Sequence, residues 1–147
     1  RLSILNRQAR PERYHGQRYR KASWGSRTMM WSGIFLLAFI IFHLAHFTWG
    51  TIFPSYFALQ DEQGLHDVYG MLVRGLSHPL MAIIYMVAML ALALHLSHAI
   101  WSAMQTMGLN GQRFTPIALK GGRWLGILIA IGFFIIPLAV LLGIVRI

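Results

Sequence analysis

Residues 80–104 read LMAIIYMVAMLALALHLSHAIWSAM, a run free of Asp, Glu, Lys and Arg whose apolar character is broken at His95, Ser97, His98 and Ser102. A hydrocarbon core about 30 Å thick takes roughly 20 helical residues to cross, so this stretch is long enough to span a bilayer. Runs 29–49 and 124–145 have the same character. The reading is an all-α integral membrane protein, a transmembrane helix bundle with three spans at 29–50, 79–107 and 123–146 and a short interfacial helix. A basic arm, 1–28, precedes the transmembrane domain 29–147, and an outer loop, 51–78, follows the first span.

Thirteen Lys and Arg stand against four Asp and Glu, and there is no cysteine. The net charge of +9 suggests nucleic acid until its distribution is examined. Arg1, Arg7, Arg10, Arg13, Arg18, Arg20, Lys21 and Arg27 precede the first span, and Arg113, Lys120 and Arg123 fall in the second loop. Basic residues gather in loops that stay on the cytoplasmic side, so lipid and not nucleic acid is the partner this charge implies. The loop with Asp61, Glu62 and Asp67 then lies outside, the chain runs in, out, in, out, and the C-terminus is external. Leu65, Val68, Tyr69, Leu72 and Leu76 recur at helical spacing in that loop and predict an amphipathic helix on the outer surface. Pro79 suits a first helical turn, and Pro137 is expected to kink the third span. The polar start reads like the loop after an earlier helix, so an N-terminal portion is expected ahead of it.

Two histidine pairs, His43-Leu-Ala-His46 and His95-Leu-Ser-His98, lie within the apolar runs. Ionisable groups at such depth mark functional sites, and neutral imidazole is the commonest ligand for metals and haem iron. Without cysteine there is no thioether attachment and no thiolate cluster, so haem b held by axial ligation is the cofactor to expect. His43 sits about 21 Å from the inner end of its span and His95 about 14 Å from the inner end of its own, at about 1.5 Å per residue. That favours two stacked sites over one haem clamped between them. Ala88, Ala91, Ala99 and Ser102 share a face with His95 and leave space for a flat macrocycle, although small residues also mediate helix packing. A zinc protease would need His-Glu-x-x-His, and a proton pump would need carboxylates within its spans; neither is present.

The second run resembles a family. His95-Leu-Ser-His98-Ala99-Ile-Trp101-Ser102, closing on Gly108 thirteen residues after His95, is similar to the second ligand helix of the single-chain, two-haem cytochrome b membrane anchors of bacterial succinate dehydrogenases and fumarate reductases. Ala99 replaces the family's usual glycine. Ser32-Gly33, with His43 ten residues after the glycine, looks like the preceding ligand helix. The resemblance covers this chain and the last three of the family's five helices.

The resemblance implies that His43 and His95 are axial ligands of the outer and inner of two haems, with His46 and His98 in supporting or alternative positions. Ser97, Ser102, Ala91 and Trp101 would line the haem pocket. The first two helices of the bundle would come from a missing N-terminal part or another chain. It implies a multi-pass anchor of respiratory complex II in a bacterial cytoplasmic (inner) membrane, partnered by flavoprotein and iron-sulfur subunits. Electrons from succinate would pass through two haems to a quinone, expected to be menaquinone, with His78, Trp49 and His66 near a quinone site. The chain is then a non-flavin subunit of the enzyme and does not itself bind the dicarboxylate. A free-standing quinol-linked cytochrome b and a haem-free structural anchor remain as alternatives.

Overall fold

Glycines and prolines set most of the helix boundaries. The computed structural model describes residues 24–109, 111–112 and 114–147. Nearly all of the basic arm expected at 1–28 therefore lies outside the described residues. Helix α1 covers Trp24–His43 and passes into a single wide π-helical turn, Leu44–Thr48. A short turn of helix, α2 (Pro54–Phe57), and helix α3 (Val68–Ser77) make up the connection to the two long helices α4 (Pro79–Thr106) and α5 (Phe114–Leu141). Among the described residues the only β pairing is one isolated bridge between Gln60 and His66. The chain is an all-α membrane helix bundle, with three helices long and apolar enough to cross a bilayer.

Pro79 opens α4 at a position where its missing N–H costs nothing. Gly108 closes it: φ is 75°, Gly108 N–H donates to Gln105 O at 3.0 Å and Leu109 N–H to Met104 O at 2.9 Å. This paired bonding beyond a left-handed glycine is the Schellman ending, and Gly143 repeats it after α5 with bonds to Val140 O and Ala139 O. The third helix therefore stops at Leu141, short of the expected 146, because Gly143 turns the chain. Its start differs more. α5 begins at Phe114, so Lys120 and Arg123, expected in a loop, lie on the helix with their side chains exposed. At 28 residues it is about 42 Å long, more than the hydrocarbon requires, and its basic first turns extend toward the polar boundary. Helix α5 continues through Pro137, which is buried.

Helix α4 lies between α1 and α5. Its contact with α5 runs over Ala118, Gly122, Gly126 and Ala130, four buried small residues spaced four apart. A Cβ at Gly126 would stand 3.1 Å from Leu96 Cβ and 3.3 Å from Ala93 O, so the two backbones approach closely here. By contrast α1 is little covered: 6% of its span is buried, against 22% for each of the other two.

Helix α3 is present, but its apolar pattern divides differently from the expectation. Leu65 lies before the helix, in a turn closed by the Asp61 carboxylate. Val68 and Tyr69 are exposed, while Met71, Val73 and Leu76 are buried against the long helices. The helix therefore wedges into one end of the bundle, where Val73, Leu76, Tyr85 and Val140 form the core with Phe39, Phe42 and Phe47 packed around them. Asp67 caps it by accepting from Gly70 N–H at 2.7 Å. The face carrying Gly75 lies directly on the His46 ring, where a Cβ would stand 2.9 Å from Nε2.

Candidate functional site

An apolar groove made of two adjoining pockets follows one side of α4. Toward α3 it has a volume of about 330 Å3 and is lined by Phe39, His43, Phe47, Leu76, Tyr85 and Pro137, among others. Toward the basic end it continues for about 460 Å3 past Gly33, Leu36 and Leu37 to His95. Phe39, Ile40, Met89 and Leu92 line both parts. A histidine thus lines each of the two adjoining pockets, His43 in one and His95 in the other.

At the basic end, Ser32 Oγ donates to its own helix, to Met29 O at 3.1 Å, and also meets His95 Nδ1 at 2.9 Å. A hydroxyl has one proton. With that proton on Met29 O, Ser32 accepts from His95 Nδ1–H, and Nε2 is left as the bare nitrogen of a neutral ring. Gly33, next in the chain, faces the same imidazole: a Cβ there would lie 3.5 Å from His95 Cε1. Both residues of the Ser32-Gly33 pair therefore address His95.

At the α3 end, both members of the other pair converge on Tyr85. Its hydroxyl lies 3.3 Å from His43 Nδ1 and 3.1 Å from His46 Nδ1. The wide turn that begins at Leu44 places His46 so that both rings reach one phenol, a local departure from α geometry of the kind that recurs at functional sites. The two histidines differ in every other respect. His46 is 2% exposed, stacked on Phe47 at 4.0 Å, with Nε2 buried and without a hydrogen-bond partner among the described residues. His43 is exposed in this chain and lines the groove. Space for a ligand exists at His43 and is absent at His46, whose free nitrogen meets the backbone of α3.

Tyr85 and His95 are ten residues apart on α4, about 15 Å at about 1.5 Å per residue. Ser32 and His43, their contacts on α1, are separated by nearly the same length. The two imidazole sites are therefore stacked along the groove at different depths.

The other candidate residues are dispersed. Ser97 Oγ donates to Leu94 O at 2.8 Å and its backbone packs toward Gly126, which puts it on the α5 side of α4. Ala91, His98 and Trp101 are half-buried and Ser102 is exposed; none is among the residues lining the groove. His78 stacks on Phe53 at 5.1 Å and its Nε2 lies 3.2 Å from Tyr56 Oη. His66 instead meets Phe57, ring centroids 4.9 Å apart, and Trp49 is exposed. His66 and His78 thus have separate aromatic partners. Among the described residues no group of three or more His, Cys, Asp or Glu gathers as a metal site.

Sequence reasoning missed Tyr85, the one tyrosine within the three spans, and that singularity was the available signal. It also missed Ser32 as the partner of His95. Comparison with protein families, characterised proteins and solved structures finds no match to this chain.

Proposed function

We propose that this chain is a haem b-carrying membrane anchor of the succinate:quinone oxidoreductase kind, contributing the last three helices of a five-helix bundle. The observation that carries the reading is the pair of histidines at two depths along adjoining apolar pockets, with His95 Nδ1 held 2.9 Å from Ser32 Oγ. A bound imidazole needs its second nitrogen fixed in this way, which sets both the tautomer and the ring orientation. His43 has room at the groove for the same role; His46, enclosed by Phe47 and Gly75, supports it from behind. Haem bound there supplies reversible one-electron chemistry. The residues of this chain would hold it and set the spacing of the two sites at about 15 Å.

The sparsely covered face of α1 fits the further helices that the resemblance requires. In this reading the basic end faces the cytoplasm, the iron-sulfur and flavoprotein subunits dock there, and the α3 end lies toward a quinone, with His78, Trp49 and His66 near it. The membrane would be the bacterial inner membrane and the quinone menaquinone.

A reduced-minus-oxidised spectrum of the purified complex, read together with its subunit composition, tests this. The expected result is two b-type haems with a flavoprotein and an iron-sulfur subunit. Haem without those partners would favour a free-standing quinol-linked cytochrome b. The absence of haem would leave the histidines as helix-packing groups, a role the Tyr85 and Ser32 hydrogen bonds also suit.

A further inference from the structure

The phenol of Tyr85 is buried between two imidazoles. The rings of Phe39, Phe42 and Phe47 pack around it, at centroid distances of 5.1, 5.9 and 5.7 Å. Two histidine nitrogens, both Nδ1, are its hydrogen-bond partners among the described residues. A phenol donates once and accepts with what remains. Between two neutral imidazoles it gives its proton to one Nδ1 and receives a proton from the other. One ring is then the Nδ1–H tautomer and the other the Nε2–H tautomer, so a single hydroxyl couples the proton positions of His43 and His46.

We infer that Tyr85 is the positioning residue of the site at the α3 end, holding His43 as Nδ1–H with Nε2 bare toward the groove and His46 as Nε2–H. The choice between the two wirings rests on the haem reading, because ligation through His43 Nε2 requires that nitrogen to be unprotonated. The coupling does not depend on that reading; it rests on both Nδ1 atoms lying within hydrogen-bond distance of one hydroxyl. His46 is the terminal acceptor of the chain. Its own Nε2 has no space for a ligand, since a Cβ at Gly75 would already stand 2.9 Å from it. Tyr85 thereby does for His43 what Ser32 does for His95. The difference is that its proton is anchored on a second histidine instead of a backbone carbonyl.

The test uses the full purified protein in its complex, with 15N-labelled histidine and the iron in its reduced, diamagnetic state. Nitrogen spectra are expected to give opposite tautomers, Nδ1–H at His43 and Nε2–H at His46. Tyr85→Phe keeps the ring and its packing but removes the hydroxyl, so the fixed opposition should be lost. In the same variant the midpoint potential of one haem should rise while the other stays in place, because an Nδ1–H partner makes the ligand more basic and its loss favours reduced iron. His46→Gln, which offers an amide oxygen to the Tyr85 proton, should keep the potential near that of the unaltered protein, whereas His46→Ala should shift it. If the unaltered protein carries no haem, the haem reading falls by itself and the tautomer measurement still decides the coupling. Like tautomers at His43 and His46, the reverse assignment, or opposite tautomers that persist in Tyr85→Phe would each overturn the proposal.

Discussion

Ser32 can give only one proton, and if it gives it to Met29 O, 3.1 Å away, it is an acceptor toward His95 Nδ1 at 2.9 Å. If the chain carries the proposed haems, Ser32→Ala should leave His95 able to bind iron but free to change tautomer. The expected outcome is retention of two haems with a shifted potential for the one nearer the basic end, measured by redox titration. Replacing an axial ligand is a larger loss, since it removes the bond to iron itself. On the proposed reading, His95→Ala should remove the haem that succinate reduces most readily, and His43→Ala should remove the other. His46→Ala and His98→Ala should keep both. Two low-spin haems persisting in both axial variants, by haem content and EPR, would show that the ligands lie elsewhere. The histidines were legible in the sequence because ionisable side chains stand out in an apolar run. Their partners were not, because the pairing of Ser32 with His95 and of His43 with Tyr85 depends on the register of α1 against α4, which the periodicity of neither helix encodes.

Helices α4 and α5 meet through small side chains, and the consequence can be separated from helix propensity by comparing two glycines of α5. A Cβ at Gly126 would press on Leu96 Cβ, Ala93 O and Ser97 N at 3.1 to 3.3 Å, two of which are backbone atoms that cannot swing away. Gly132 has nothing within 4 Å of the same position. Gly126→Leu should therefore force the helices apart at a cost of about 1–3 kcal/mol or more, while Gly132→Leu should be close to neutral. Thermal unfolding of the detergent-solubilised protein measures the contrast, and equal losses in the two variants would contradict the packing account. At this scale the ends of α4 were readable, with Pro79 opening the helix and Gly108 closing it. The π-helical turn was not. Residues 44–48 contain no helix breaker, and the turn is held by Gly50 in the left-handed region against Phe57 and by the convergence of His43 and His46 on Tyr85.

Over the whole molecule, hydropathy alone identified a three-span membrane bundle, since 20 or so apolar residues leave the backbone few other ways to satisfy its hydrogen bonds in lipid. It did not reveal that α4 is central and α1 sparsely covered, because an apolar face looks the same whether it meets lipid or another helix. Orientation rests on a different quantity. Eleven of the 13 basic residues fall before the first span or between residues 108 and 123, and moving such a cluster across a membrane is strongly disfavoured during insertion. The position of Lys120 and Arg123 on α5 keeps this argument intact: both are exposed near the start of a helix longer than the hydrocarbon is thick, so their charges reach the polar boundary on the same side as the preceding loop. Asp61 and Glu62 occupy the opposite end, in the exposed turn ahead of α3. Single cysteines can be placed in this cysteine-free sequence at Gln112, in the short basic loop, and at Gln63, in the acidic turn, both exposed. A membrane-impermeant thiol reagent added to intact cells should label Gln63→Cys and reach Gln112→Cys only after the membrane is opened. Labelling of Gln112→Cys from outside would invert the topology, and with it the proposed assignment of the His95 end to a side where soluble partners would dock.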